Sequence, residues 1–151
     1  MITKQIRFWL ILGKKQPFFN YLGIPGGKVE FGKTLLEQAK EEFLEETGLE
    51  GDLDLKLIMN LITMNEDTEK TQHHVTGFFY LAKNLRGKLI DSNREGENIF
   101  MSLDETEKYP KYPDFEFFTK KLLEETKTIT FQEAKRYVKD NKFTKIEFHQ
   151  N

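Results

Sequence analysis

One stretch, Gly26 to Leu49 (GGKVEFGKTLLEQAKEEFLEETGL), constrains this chain more than any other. It joins a glycine turn to a segment with several agreeing helix signals. Thr34 and Glu37 have the spacing of a capping box, with Thr34 as N-cap. Leu35, Ala39 and Phe43, with Leu36 and Leu44 beside them, make an apolar stripe of helical period. Gly48 supplies a left-handed stop. On such a helix Glu42, Glu45 and Glu46 share one face, because residues three and four apart are neighbours.

Three carboxylates that close repel one another, which disfavours full ionisation unless a positive charge lies between them. Oxygen donors of this kind suit a hard divalent cation such as Mg²⁺, which commonly binds through a few carboxylates plus substrate phosphates. The stretch therefore points to metal-assisted phosphate chemistry. The plainer alternative is a solvated acidic helix face, and the glycines that bracket the helix argue against it.

The remaining pattern places this helix among strands. Ile6–Leu12 is rich in branched and aromatic residues and reads as a buried strand, with Phe8 and Trp9 on alternate faces and core packing for at least one. A turn through Lys14, Lys15 and Pro17 leads to a short apolar run, Phe18–Ile24. After the helix, Leu53–Met64 supplies one or two strands, 65–72 a hairpin connector, and Val75–Leu81 a further strand. Gly87 marks a turn and Ile99–Leu103 another strand. A helix is expected from Pro113 to Glu125, with Phe117, Phe118, Lys121 and Leu122 on one face. Thr130 and Glu133 repeat the capping-box spacing and predict a last short helix to Asp140. The tail FTKIEF is a strand or a docked end. Strands, a helix, strands, then helices give an α/β fold: a mixed β-sheet between helices, an α/β/α sandwich.

The 151 residues suit a single domain, 1–151, with a substantial core, and no repeat or linker divides them. A net charge of −2 leaves no basic footprint for long nucleic acid. With no cysteine, thiolate catalysis and disulfides are excluded. The first apolar run is too short to span a bilayer and carries Arg7, and no cleavage pattern follows it, so a cytoplasmic protein with no membrane association is expected.

Gly26-Gly27, Glu30 and Gly32, followed by Glu42-Phe43-Leu44-Glu45-Glu46-Thr47-Gly48-Leu49, resemble the box of the Nudix (MutT-like) hydrolase family, and Tyr21–Pro25 resembles its usual lead-in. The resemblance implies a Nudix-like α/β/α sandwich and metal-dependent hydrolysis of a nucleoside diphosphate linked to another moiety, with Mg²⁺ or Mn²⁺ as cofactor. Glu42, Glu45 and Glu46 are then the metal ligands, joined by the Gly27 carbonyl, and one glutamate also serves as base. A further acid from outside the box commonly completes such a site. Glu95 is the candidate for it, with Glu97 as runner-up.

Two positions depart from the family pattern. Lys33 stands where the family has glutamate and Glu41 where it has arginine, so both charges are reversed. An ion pair between them would restore the scaffold with the charges exchanged, at the cost of added negative charge beside Glu42. Their departure keeps open a nucleotide-binding module that does not hydrolyse. For substrate, Tyr112 would stack on a base and Asp114 either bond its edge or start a helix. A small nucleotide such as a (d)NTP, giving NMP and pyrophosphate, is the leading expectation. An NDP-sugar, ADP-ribose or a dinucleoside polyphosphate is the alternative, and the protein is a monomer or homodimer. His73 and His74 are adjacent on a strand and point to opposite faces, which disfavours a shared metal.

Overall fold

The computed structural model describes residues 7–13 and 20–149. The side chains of Phe8 and Trp9 lie outside the described set, as do Ile6 and the expected turn through Lys14, Lys15 and Pro17 with the start of the run after it. Contacts divide the chain into two compact units. One comprises Met1–Asp52 and Asn84–Tyr112, the other Leu53–Lys83 and Pro113–Asn151.

The first unit holds a three-stranded antiparallel sheet. β1 (Arg7–Gly13) lies between β2 (Leu22–Gly23) and the strand Gly96–Ser102. Asn20, at φ 61°, turns the chain toward β2, a conformation asparagine tolerates better than most residues. Helix α1 (Leu35–Thr47) follows. It opens with the expected capping box: the Glu37 N–H donates to Thr34 Oγ1 (3.2 Å) and the Thr34 N–H to Glu37 Oε2 (2.8 Å). It closes on Gly48 at φ 76°. Its apolar stripe is only partly covered, with Leu36 and Leu44 exposed, while polar Gln38, Glu46 and Thr47 are buried. Packing of polar side chains against loops, described below, overrides the simple amphipathic reading of this helix.

Of two strands of seventeen residues, β3 (Leu49–Asn65) begins in the first unit and ends in the second, and β4 (Thr71–Gly87) begins in the second and ends in the first. Each is longer than its apolar pattern suggested, since strand pairing continues into polar stretches. Between them the turn is tight: Asn65 Oδ1 accepts from the N–H and hydroxyl of Thr68. β5 (Gly96–Ser102) ends one residue earlier than expected. Leu103 instead opens a one-turn helix, α2 (Leu103–Thr106), capped by Ser102 and Glu105.

The second unit carries a four-stranded sheet in the order β4-β3-β6-β7, where β6 is Thr130–Lys139 and β7 is Lys142–His149. β3 and β6 run parallel and β6 and β7 antiparallel, so the sheet is mixed. Alternate residues Leu57, Met59, Leu61 and Thr63 of β3 are buried, with Ala134 and Val138 of β6. Helix α3 (Phe115–Leu123) buries Phe115, Phe118, Thr119 and Leu122, and Phe118 stacks on Phe79 at 5.6 Å between ring centroids. The expected face had Phe117 and Lys121 in place of Phe115 and Thr119, a rotation of the buried stripe toward the helix start.

The last expected helix is a correction. Thr130 and Glu133 lie on β6, not at a helix start. Asp140 and Asn141 have φ of 49° and 60°, the left-handed pair of a two-residue hairpin turn, and Lys139 pairs with Lys142 across it. Ladder bonds to β3 and β7 on both sides of β6 outweigh one possible cap. The FTKIEF tail is the outer strand β7 of that hairpin.

Candidate functional site

Glu46 is the centre of the acidic helix. It is 9% exposed and its Oε2 accepts from the Gly26 N–H at 2.7 Å, tying the glycine turn to the last turn of α1. Burial pushes its carboxyl up to about 7 from an ordinary 4.5, against the Gly26 N–H, which favours the charged form; the charges of Glu42, Glu95 and Glu45 push further in the same direction. The last turn of α1 carries no basic residue, so the negative end of the helix dipole adds to the same field.

Glu42 is positioned on two sides. Gln38, 3% exposed, accepts from the Glu30 N–H (3.1 Å) and donates through Nε2 to Glu42 Oε1 (2.9 Å). On the other side lies the backbone of Gly27, where an added Cβ would stand 2.3 Å from Glu42 Oε1. Any side chain at 27 would displace that carboxylate.

The end of α1 is held by the segment after β4. Its orphan carbonyls take partners in turn: Thr47 O accepts from the Ile90 N–H (2.9 Å), and Glu46 O accepts from the side-chain amides of Asn93 (2.8 Å) and Asn98 (2.7 Å). A Cβ on Gly48 would stand 2.3 Å from Lys88 O, and one on Gly87 2.6 Å from Gly48 O, so these two positive-φ glycines let the chain pass this close. Asn93 and Asn98 carried no signal in the sequence, because an amide that serves a helix carbonyl 47 or 52 residues away leaves no local pattern. Glu95 sits in the turn that follows, exposed, and its charge reaches Glu46. Glu97 lies on β5, opposite Leu12.

The two departures from the family pattern meet in space. Lys33 Nζ lies 2.8 Å from Glu30 Oε2 and also bonds Glu41 Oε2. Hydrogen bonds to Glu30 and then to Glu41 hold the ammonium well above the ordinary lysine range. Glu30 is thus joined through its backbone to Gln38 and through its side chain to Lys33.

Tyr112 makes an edge-on contact with Tyr21, ring centroids 5.4 Å apart, on a segment tied to β2 by the Leu22 N–H donating to Pro110 O. In the second unit Asp114 is 6% exposed, and its side chain does not cap α3. Its Oδ1 instead takes an ion pair from Arg136 Nη1 at 3.2 Å, while Arg136 Nε donates to Thr63 Oγ1. His73 and His74 are exposed, and a His74 ring nitrogen is hydrogen-bonded to Asn60 Oδ1.

The donors on α1 fit a divalent cation by chemistry: hard carboxylate oxygens, crowded negative charge, and a glycine approach that any side chain would block. Among the described residues no three acids or histidines already stand at cation-holding spacing; Glu46 bonds the Gly26 N–H and Glu42 the Gln38 amide.

The NUDIX domain model matches residues 2–134. The chain belongs to the Nudix family. Among solved structures it is similar to the crystal structure of a mutator MutT protein from Bacillus halodurans, at 22% identity and a TM-score of 0.75, over 94% of this chain and 89% of that one. That likeness shows the fold, the mixed sheet flanked by helices of an α/β/α sandwich. Family membership makes this a Nudix pyrophosphohydrolase, an enzyme class that acts on small nucleotides and generally uses divalent metal ions. Among the described residues no helix is long and apolar enough to cross a membrane.

Proposed function

We propose that this Nudix protein hydrolyses a (d)NTP or a related small nucleotide to NMP and pyrophosphate in the cytoplasm, within one domain spanning 1–151. The observation that carries the reading is Glu46, a carboxyl buried against Gly26 in the combined field of Glu42, Glu45 and Glu95. Glu42, Glu45 and Glu46, with the Gly27 carbonyl, would hold Mg²⁺ or Mn²⁺, and Glu95 would complete the acidic set. A divalent cation bound there neutralises diphosphate charge and lowers the pKa of a water for attack on phosphorus.

The chain's own residues supply position and a proton acceptor. Gln38 holds Glu42 Oε1, and the absence of a side chain at Gly27 leaves room for the carboxylate. One of the glutamates takes the proton of the attacking water as the water oxygen bonds to phosphorus and the anhydride P–O bond breaks, releasing pyrophosphate. The Lys33–Glu41 contact supports a compensated charge exchange, which favours a working enzyme over a binding module. Tyr112, edge-on to Tyr21, is proposed to stack on the base; the Asp114 carboxylate is engaged by Arg136, which favours a structural part for it.

A panel of (d)NTPs, NDP-sugars, ADP-ribose and dinucleoside polyphosphates, each with Mg²⁺ and Mn²⁺, tests this by released phosphate or pyrophosphate. Turnover of a (d)NTP with pyrophosphate release is expected. Preferred cleavage of an NDP-sugar or dinucleoside compound would replace the substrate assignment. Tight binding of one nucleotide with no turnover of any would replace the enzyme with a binding module.

A further inference from the structure

We infer that Asn93 is a positioning residue that couples Glu95 to the acidic helix. The inference rests on the reading of Glu95 as part of the proposed metal site. Three hydrogen bonds made by one side chain carry it. Asn93 Nδ2 donates to the backbone carbonyl of Glu46 at 2.8 Å, in the last turn of α1. Asn93 Oδ1 accepts from the Glu95 N–H at 2.7 Å and the Gly96 N–H at 3.1 Å. A single planar amide therefore touches the backbone of Glu46 with one end and the backbone of Glu95 with the other.

The turn between them is closed on itself. The Asn93 N–H donates to Gly96 O at 2.9 Å, and Ser92 pairs with Glu97 across it. Glu95 is thus one of two residues at the tip of a tight hairpin turn, and its backbone N–H is bound to the Asn93 side chain. Asn98 supports the same end, donating to Glu46 O and to Ile90 O, but it does not touch Glu95. Asn93 alone among these residues has a hydrogen bond to both carboxylate-bearing backbones. A rigid planar spacer of this kind fixes the separation of two acids that local sequence leaves 49 residues apart. Displacing a catalytic group by about an ångström can cost on the order of a hundredfold, so such a spacer matters more for function than for folding.

Binding of Mn²⁺ alone to the whole chain, followed by electron paramagnetic resonance, tests the coupling without reference to turnover. Glu95→Gln and Asn93→Ala are each expected to weaken Mn²⁺ binding by about tenfold. The double variant is expected to match Glu95→Gln within about twofold, because the amide acts through that carboxylate. Asn93→Asp keeps the acceptor for the turn but loses the donor to Glu46 O, and is expected to behave as Asn93→Ala. Wild-type binding by Asn93→Ala and Asn93→Asp beside an impaired Glu95→Gln would overturn the inference. So would losses that multiply in the double variant. If Glu95→Gln binds as wild type, the role of Glu95 and of Asn93 falls together. Glu46→Gln in the same series tells that outcome from failure of the helix site itself, which would leave Glu46→Gln also unimpaired. Thermal unfolding of each variant separates these from loss of fold, and Asn98→Ala, which loosens the same carbonyl without touching Glu95, is expected to bind Mn²⁺ close to wild type.

Discussion

Glu46 and Asp114 are both buried carboxylates, one in each compact unit, and their surroundings are opposite. Asp114 is matched by the guanidinium of Arg136, itself anchored on Thr63. Among the described residues, Glu46 has a single backbone N–H as partner and like charges from Glu42, Glu95 and Glu45 around it. Burial with a fixed counter-charge makes a structural element, since the pair is complete within the chain. Burial among like charges leaves an electrostatic deficit that a ligand can fill. The contrast supports reading Asp114 as a stabilising group and fits the chemistry proposed for Glu46.

The largest expected effect separates them directly. Glu46→Gln keeps an acceptor for the Gly26 N–H but removes the charge, so activity should fall at least about a hundredfold while the fold is kept. Its pH behaviour sharpens the point. In the metal-free protein the folded-state value of about 7 lies above the ordinary 4.5, so between these values the folded chain holds a proton that the unfolded chain has released. Stability from this group is therefore lost as pH rises from about 4.5 to 7 and is level above it. Urea unfolding of the wild type across that range should show the slope, and Glu46→Gln should flatten it. An unchanged slope in the variant would place the titration elsewhere.

Asp114→Asn is the converse case. It removes the charge that Asp114 sets against the half-buried Arg136 and should cost about 3 kcal/mol in urea unfolding. A variant of undiminished stability that bound nucleotide poorly would instead move Asp114 from the structural class to the substrate site.

Gly27→Ala is expected to separate rate from stability within the first unit. The added methyl meets the mobile end of Glu42, so the melting temperature should barely move while kcat falls about tenfold. Equal losses in both would show that the turn, not the carboxylate, needs the glycine. The smallest effect is expected at Lys33. Lys33→Glu should lower activity a few-fold on its own and recover when combined with Glu41→Arg; losses that simply add would contradict a compensated exchange.

Much of the first unit could be read directly. The cap at Thr34, the stop at Gly48 and the face shared by Glu42, Glu45 and Glu46 are local properties of a helix, and spacing encodes them. The same local logic failed at Thr130 and Glu133, where a cap signal lost to strand pairing with β3 and β7. The Asp140-Asn141 turn was the competing signal, and it agreed with the ladder.

By itself, the sequence determined the acidic helix, its glycine boundaries, the Nudix family and the charge exchange at Lys33 and Glu41. Tertiary structure alone decided which polar groups are buried and what they meet. Gln38 on Glu42, Asn93 and Asn98 on the Glu46 carbonyl, and Arg136 on Asp114 are contacts between residues whose spacing carries no periodic signature, apart from the helical step from Gln38 to Glu42. The physical reason is that desolvation and hydrogen-bond satisfaction depend on distant chain segments brought together by folding. The acid-bearing helix was therefore written locally, and the setting of its central carboxyl, Glu46, was not.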